Sequence, residues 1–206
     1  DGGAASNDLL MQEQADLLVP FPSVRKAVEA ATAIIRARIV PATMEFMERR
    51  AIDLTAEMLE KEAPFSDAQA HLLMQLDGPD KENVQRQYEK ISEIALEYGA
   101  DDVLVAEDKA SSERVWQFRR AIADALTFKS KTVKKEDIVV PRAKIPDMFD
   151  FLRSVEEKYG IYMVSFGHIG DGNVHVNLLK MDMPGSQWEE KAPKALAEIY
   201  AEAVKM

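Results

Sequence analysis

The sequence predicts an α+β fold: a ferredoxin-like, largely antiparallel sheet with helices packed on one face. Three observations predict it. Short apolar runs bounded by Pro or Gly alternate with long stretches of helical period. Gly170-Asp171-Gly172 is a tight-turn signal that folds two such runs into a hairpin. Leu18-Val19-Pro20, followed by a helical stretch, is echoed by Val139-Val140-Pro141 followed by another, an offset of 121 residues (18 to 139).

The elements follow in order. Residues 1–14 read as a flexible leader or a domain junction, and the domain proper as 15–206. Leu17 to Val19 is an apolar run stopped by Pro20 and Pro22. Ser23 caps a helix with Val24, Ala27, Val28, Ala31 and Ile35 on one stripe. Pro41 breaks it, and the stretch from Thr43 to Glu60 reads as a second helix. His71 to Leu76 is a strand ended by Gly78 and Pro79, with Asp80 as the next cap. Val84, Tyr88, Ile91, Ala95 and Tyr98 mark a helix that Gly99 closes.

Val103 to Val105 is a strand, 112–128 a helix, and Lys129 to Lys135 a basic loop. Ile138 to Val140 is a strand stopped by Pro141. Pro146 opens a helix that Gly160 ends. Ile161 to Phe166 and Val174 to Leu179 flank the turn. Ser186 and Glu189 form a capping box for a last helix with Trp188, Ala192, Ile199 and Ala203 inside.

Composition excludes several classes. The 206 residues are 47% hydrophobic and 30% charged, which is ordinary globular chemistry. Twenty-six basic against 36 acidic residues give −10, which argues against nucleic-acid binding. Zero Cys excludes a disulfide framework, a thiolate metal site and a cysteine nucleophile, and fits a reducing, cytoplasmic compartment. No apolar run is long enough to span a membrane, and the first ten residues lack a signal pattern.

The stretch that carries chemistry is Phe166-Gly167-His168-Ile169-Gly170-Asp171-Gly172-Asn173-Val174-His175-Val176-Asn177. Two of the three histidines lie in it. Strand period two puts Asn173, His175 and Asn177 on one face and Val174, Val176 and Leu178 on the other. If 170–172 makes the turn, His168 and His175 lie close across the hairpin, roughly 5 Å apart at Cβ. Two imidazoles so placed can share a zinc, iron or manganese ion, with a carboxylate completing the set. The plain alternative is a hairpin whose polar face is merely wet. A calcium loop from Asp171 fails, because Val176 and Asp182 stand where Gly and Glu are required. No Gly-x-Gly-x-x-Gly opens a helix here, so the glycines spell no dinucleotide fingerprint.

A second candidate is Arg119, one step off the stripe Val115, Phe118, Ile122 and beside Trp116. A guanidinium at a stripe's edge can fork onto a small carboxylate, and Lys135 can add a charge. The bland reading is a solvated cation. His71, at the start of an apolar strand, is structural, and the ten methionines are core filler.

Gly167-His168-Ile169-Gly170-Asp171-Gly172-Asn173-Val174-His175-Val176-Asn177 resembles the signature of the C-terminal domain of FAD-linked oxidases, the vanillyl-alcohol-oxidase-like group with D-lactate dehydrogenase, the glycolate oxidase flavoprotein subunit and D-2-hydroxyglutarate dehydrogenase. Pro41 to Glu48 is similar to the family's Pro-x-x-x-Glu-x-Met-Asp stretch, Trp116 to Arg119 to its Trp-x-x-Arg, and Asp137 to Pro141 to its Asp-x-x-x-Pro.

The resemblance implies that His168 and His175 are ligands of a divalent metal near FAD. It implies that Arg119 and Lys135 hold a substrate carboxylate, that Asn177 lines the substrate and flavin side of the pocket, and that Asn173 lines the flavin side. Ala123 stands where some relatives have Thr four residues after the arginine, which leaves the substrate subtype open. It also implies an FAD-binding domain before Ala15, and a Gly-Glu-His-Gly segment beyond Met206 with a third ligand and a catalytic histidine. The expected function is thus the substrate side of an enzyme oxidising a D-2-hydroxy acid, inactive as this piece alone. The expected partners are its own FAD-binding domain, an electron-transfer partner, a second copy in a homodimer and, peripherally, the membrane. The alternative is a non-catalytic module for a small anion or a partner chain. A metal-dependent hydrolase is a third reading, with Asp171 its only local base. The enzymatic reading requires the two rings to converge, with a cavity between them and Arg119.

Overall fold

The computed structural model describes residues 13–206. The order is β1 (Glu13–Phe21), α1 (Val24–Arg36), β2 (Thr43–Glu48), α2 (Arg49–Leu59), β3 (Ala70–Gly78), α3 (Lys81–Glu97) and β4 (Leu104–Ala106). Then come α4 (Lys109–Lys129), β5 (Val133–Val139), α5 (Ile145–Tyr159), β6 (Tyr162–His168), β7 (Asn173–Leu179) and α6 (Gly185–Lys205). The expected leader falls mostly on residues 1–12, outside the described residues. Glu13 and Gln14 already belong to β1.

Local chemistry explains most boundaries. The Ser23 hydroxyl accepts from the Lys26 N–H and starts α1. Asp80 does the same for α3 through the Asn83 N–H at 2.7 Å. Gly99 and Gly160 end their helices at φ +91° and +67°, a region a Cβ penalises. At the last helix the expected capping box is absent: Pro184 is the cap and no side chain bonds there.

The seven strands form one sheet in the order β4-β1-β3-β2-β6-β7-β5, and every pairing among them is antiparallel. The order β4-β1-β3-β2 is the ferredoxin-like pattern. β5, α5, β6 and β7 repeat its first three strands, joined edge to edge through β2 and β6. The sequence echo therefore marks the first strand–helix step of two like units. Pro20 sits within β1 rather than ending it, because β4 reaches only Leu18 and leaves no neighbour on that side for Pro20 to bond.

Two cores flank the sheet. On one face α1, α3, α5 and α6 cover Leu17, Val19, Leu72, Met74, Met163, Val176 and their neighbours. On the other, α2 and α4 bury Leu18, Met47, Leu73, Val164 and Leu179. Thus helices also cover part of the second face, and that face carries the site.

The expected helix over 43–60 is half strand. Met44 and Phe46 enter one core while Met47 enters the other. A central strand buried on both sides shows no clean period two, so its six residues blend into the helix that follows. Likewise Val133, Lys134 and Lys135 belong to β5 and not to a loop.

Candidate functional site

The hairpin of β6 and β7 is closed by residues 169–172 between the paired His168 and Asn173. The Asp171 carboxylate accepts from the Asn173 N–H at 3.0 Å, which fixes the turn. Gly172 has φ +82°, and a Cβ there would lie 2.2 Å from the Val140 carbonyl oxygen. A Cβ on Gly167 would lie 2.3 Å from the Asn173 carbonyl oxygen. The glycines of the motif are thus dictated by close packing. Asp171 is spent on the turn and is not the free base the hydrolase reading assigned to it.

Register places the polar face. Phe166 opposes His175, which opposes Asp137 on β5. Glu45 on β2 opposes His168. The two imidazoles are therefore diagonal neighbours, with ring centroids 5.2 Å apart and planes at 84°. They converge, which is one of the two conditions the enzymatic reading sets. His175 Nδ1 is hydrogen-bonded to Asp137 Oδ1, and His168 Nδ1 lies 3.0 Å from Glu45 Oε1. The His175 ring is held at Nδ1 by a carboxylate, the arrangement that orients a metal-ligating histidine and leaves Nε2 forward, and a second carboxylate stands beside His168 Nδ1. Among the described residues, no group of three or more His, Cys, Asp or Glu is arranged to hold a metal ion.

Arg119 reaches this face from α4. Its Nε donates to Glu45 Oε2 at 3.0 Å, and its guanidinium carbon stands 4.9 Å from the centre of the Phe166 ring. Nη1 has no hydrogen-bond partner among the described residues. Arg119, Phe166, His175 and His168 therefore form a continuous row, with Glu45 behind it. A groove of about 460 Å³ runs beside His168, Glu45, Val40, Thr43 and Arg142. Neither Arg119 nor His175 is in its wall, so the cavity borders His168 and does not lie between the two imidazoles and the arginine.

The model for FAD linked oxidases, C-terminal domain, matches residues 10–206. The chain belongs to this family. A D-lactate dehydrogenase of Anaerostipes hadrus is 29% identical over 192 residues, covering 91% of this chain and 40% of the relative. Glycolate oxidase subunit GlcD of Bacillus subtilis is 32% identical over 190 residues, covering 92% and 40%. The chain thus spans about 40% of the length of these two curated relatives. Among solved structures, p-cresol methylhydroxylase with substrate bound superposes with a TM-score of 0.69 at 11% identity, covering 90% of this chain and 42% of that one. That likeness shows the fold.

In this FAD linked oxidase C-terminal domain, His168, His175 and Arg119 come together as the sequence suggested. Lys135 is exposed and stands opposite Asn177 in register, without an ion pair among the described residues. Asn177 is only 2% exposed, and its amide donates to the Val164 and His175 carbonyls at 3.0 and 3.4 Å. It braces the hairpin from within. Asn173 is half-buried, and its Oδ1 has no partner among the described residues.

Two members of the site carried no expected role: Glu45 and Asp137. Glu45 is the first of two acidic residues in the family-like stretch Pro41 to Glu48, and Asp137 is the acidic residue of Asp137 to Pro141. That shared position was the available signal.

A larger hollow of about 710 Å³ lies elsewhere, walled in part by Arg25, Arg49, Arg50 and Arg153. Each of these arginines is matched by a carboxylate. Burial pushes the Glu48 carboxyl up, while Arg153 and the Ser165 N–H pull it down. This is an ion-paired brace. His71 is buried with Nε2 donating to the Pro64 carbonyl at 3.0 Å, which agrees with a structural role.

Proposed function

We propose that this chain is the substrate-side domain of an FAD-dependent oxidoreductase that oxidises a D-2-hydroxy acid, of the lactate, glycolate or 2-hydroxyglutarate type, to the 2-oxo acid. The observation that carries the reading is the imidazole pair at 5.2 Å, braced by Glu45 and Asp137 beside Arg119, in a chain of an FAD-linked family. The substrate class comes from the relatives' names, D-lactate dehydrogenase and glycolate oxidase.

Arg119 orients the substrate carboxylate through N–H groups not engaged with Glu45, and Phe166 beneath it excludes water. Lys135 adds a second positive charge on the same face. Asn173 borders the flavin side, and Asn177 keeps β6 and β7 in register below it. FAD, held mainly by its own binding domain, supplies the hydride acceptor. His168 and His175 fit as two ligands of a zinc, iron or manganese ion, which supplies Lewis acidity to the substrate hydroxyl. Further ligands, and the base for the hydroxyl proton, come from outside these 206 residues, so the chain alone is inactive. A cytoplasmic location, peripheral at the membrane at most, and an electron-transfer partner belong to the same reading. The cysteine-free composition supports the location.

Zinc titration tests the site. Zinc at about a hundredfold over its dissociation constant stabilises a one-site protein by about 2.7 kcal/mol. Thermal unfolding should shift upward with zinc, and His168→Ala and His175→Ala should each abolish the shift. An unshifted wild-type chain overturns the metal site and favours a non-catalytic module for a small anion or partner chain.

A further inference from the structure

Among the described residues β5 pairs with β7 alone, whereas its counterpart in the first unit, β1, lies between β3 and β4. The seven-residue edge of β5 therefore offers a row of unpaired backbone groups, the kind of surface that accepts another strand. We propose that β5 pairs with β5 of a second copy of this chain, antiparallel about a twofold axis through Glu136, so that two sheets become one. This goes beyond the proposed function and stands independently of it.

The edge's own sequence selects that register. Opposed residues in a continuous sheet share a face, so the axis must pass through a residue. Through Glu136, Lys135 stands opposite Asp137 of the second copy, and Asp137 opposite its Lys135. Val133 meets Val139, which is 67% exposed in the single chain. Moving the axis to Lys135 or to Asp137 would oppose two like charges on the site-bearing face instead.

On the other face Glu136 meets its own copy. The Tyr200 hydroxyl of α6 already donates to that carboxylate. The same twofold axis brings the two α6 helices side by side on this face, where Tyr200 and Val204 are 43% and 88% exposed. Asp137 also holds His175, so Lys135 of the second copy would reach the candidate site. A protein surface that is apolar at its flank and self-complementary in charge on the site-bearing face fits an isologous contact.

Sedimentation of the 206-residue chain over rising concentration should show a monomer–dimer equilibrium. Lys135→Glu opposes an acid to Asp137, Asp137→Lys opposes two cations, and each should weaken association roughly tenfold or more. The double variant K135E/D137K should restore it, and Glu136→Gln should tighten it. Circular dichroism checks that each variant folds. If Asp137→Lys unfolds by losing His175, then Lys135→Glu, at an exposed position, and Glu136→Gln decide alone. A monomer at every concentration overturns the proposal, as does a dimer indifferent to these substitutions.

Discussion

Arg119 and Glu45 meet at one carboxylate oxygen: Nε donates to Oε2 at 3.0 Å, and Nη2 stands 2.9 Å from the same atom. The other oxygen faces His168. Residues 74 positions apart thus tie α4 to the centre of the sheet. Their side chains are 16% and 8% exposed, so neither charge is fully hydrated. Glu45→Gln keeps the shape and removes the charge. The expected cost is about 2–3 kcal/mol in urea unfolding, because a poorly solvated guanidinium loses its counter-charge. A change within experimental error would mean that the pair contributes nothing.

Gly172 and Gly167 allow the hairpin to close against neighbouring backbone. Gly172→Ala places a methyl group 2.2 Å from the Val140 oxygen and forces an L side chain into φ +82°. Gly167→Ala meets the Asn173 oxygen at 2.3 Å. Each should cost about 2 kcal/mol or more, since backbone atoms cannot step aside as a side chain can. Both should also weaken any zinc-dependent shift, because the clash displaces the strand ends bearing His168 and His175. Calorimetry with and without zinc reads both effects.

Burial pulls the His71 imidazole below its ordinary 6.5. Nδ1 is enclosed without a partner among the described residues, so a proton there finds no acceptor among them. The unfolded chain takes up that proton as the pH drops through 6.5, while the folded chain resists until lower pH. Stability attributable to His71 is therefore intact above about 7 and falls as the pH drops through 6.5 toward the folded-state value. Urea unfolding at about pH 7.5 and about pH 5.5 should show the loss. His71→Leu should flatten that part of the slope and lower stability at neutral pH, because the Pro64 carbonyl loses its donor. An unchanged slope in the variant would contradict this account.

The Tyr200 phenol donates to Glu136, which pushes its pKa up to about 12. Ionising the phenol breaks that bond and sets two negative groups together. In an ultraviolet alkaline titration, Glu136→Gln should shift one of the five tyrosines back toward the ordinary 10. An unaltered curve would show that the bond is absent in solution.

Much of this architecture can be read along the chain because the relevant forces are local. Ser23 and Asp80 cap helices through atoms three residues away. Gly160 and Gly172 stand where the backbone turns left-handed. The spacing of His168 and His175 around a tight turn already demanded that they meet. By itself, then, the sequence determined the α+β class, the hairpin and its two imidazoles, whereas the place of Arg119 beside them was decided by its contact with Glu45, 74 positions away.

What only the tertiary structure decided depends on partners distant in the chain. β2 was hidden because a strand buried on both faces has no polar side to mark its period, and only β3 and β6 on either side make it a strand. Glu45 and Asp137 became site residues because register set them opposite His168 and His175, and register is a property of paired strands. Asn177 turned inward because Val164 and His175 offered carbonyls to its amide. Short-range preferences act through neighbouring dihedrals and are visible in one stretch of sequence, whereas cross-strand pairing exists only once the sheet has closed.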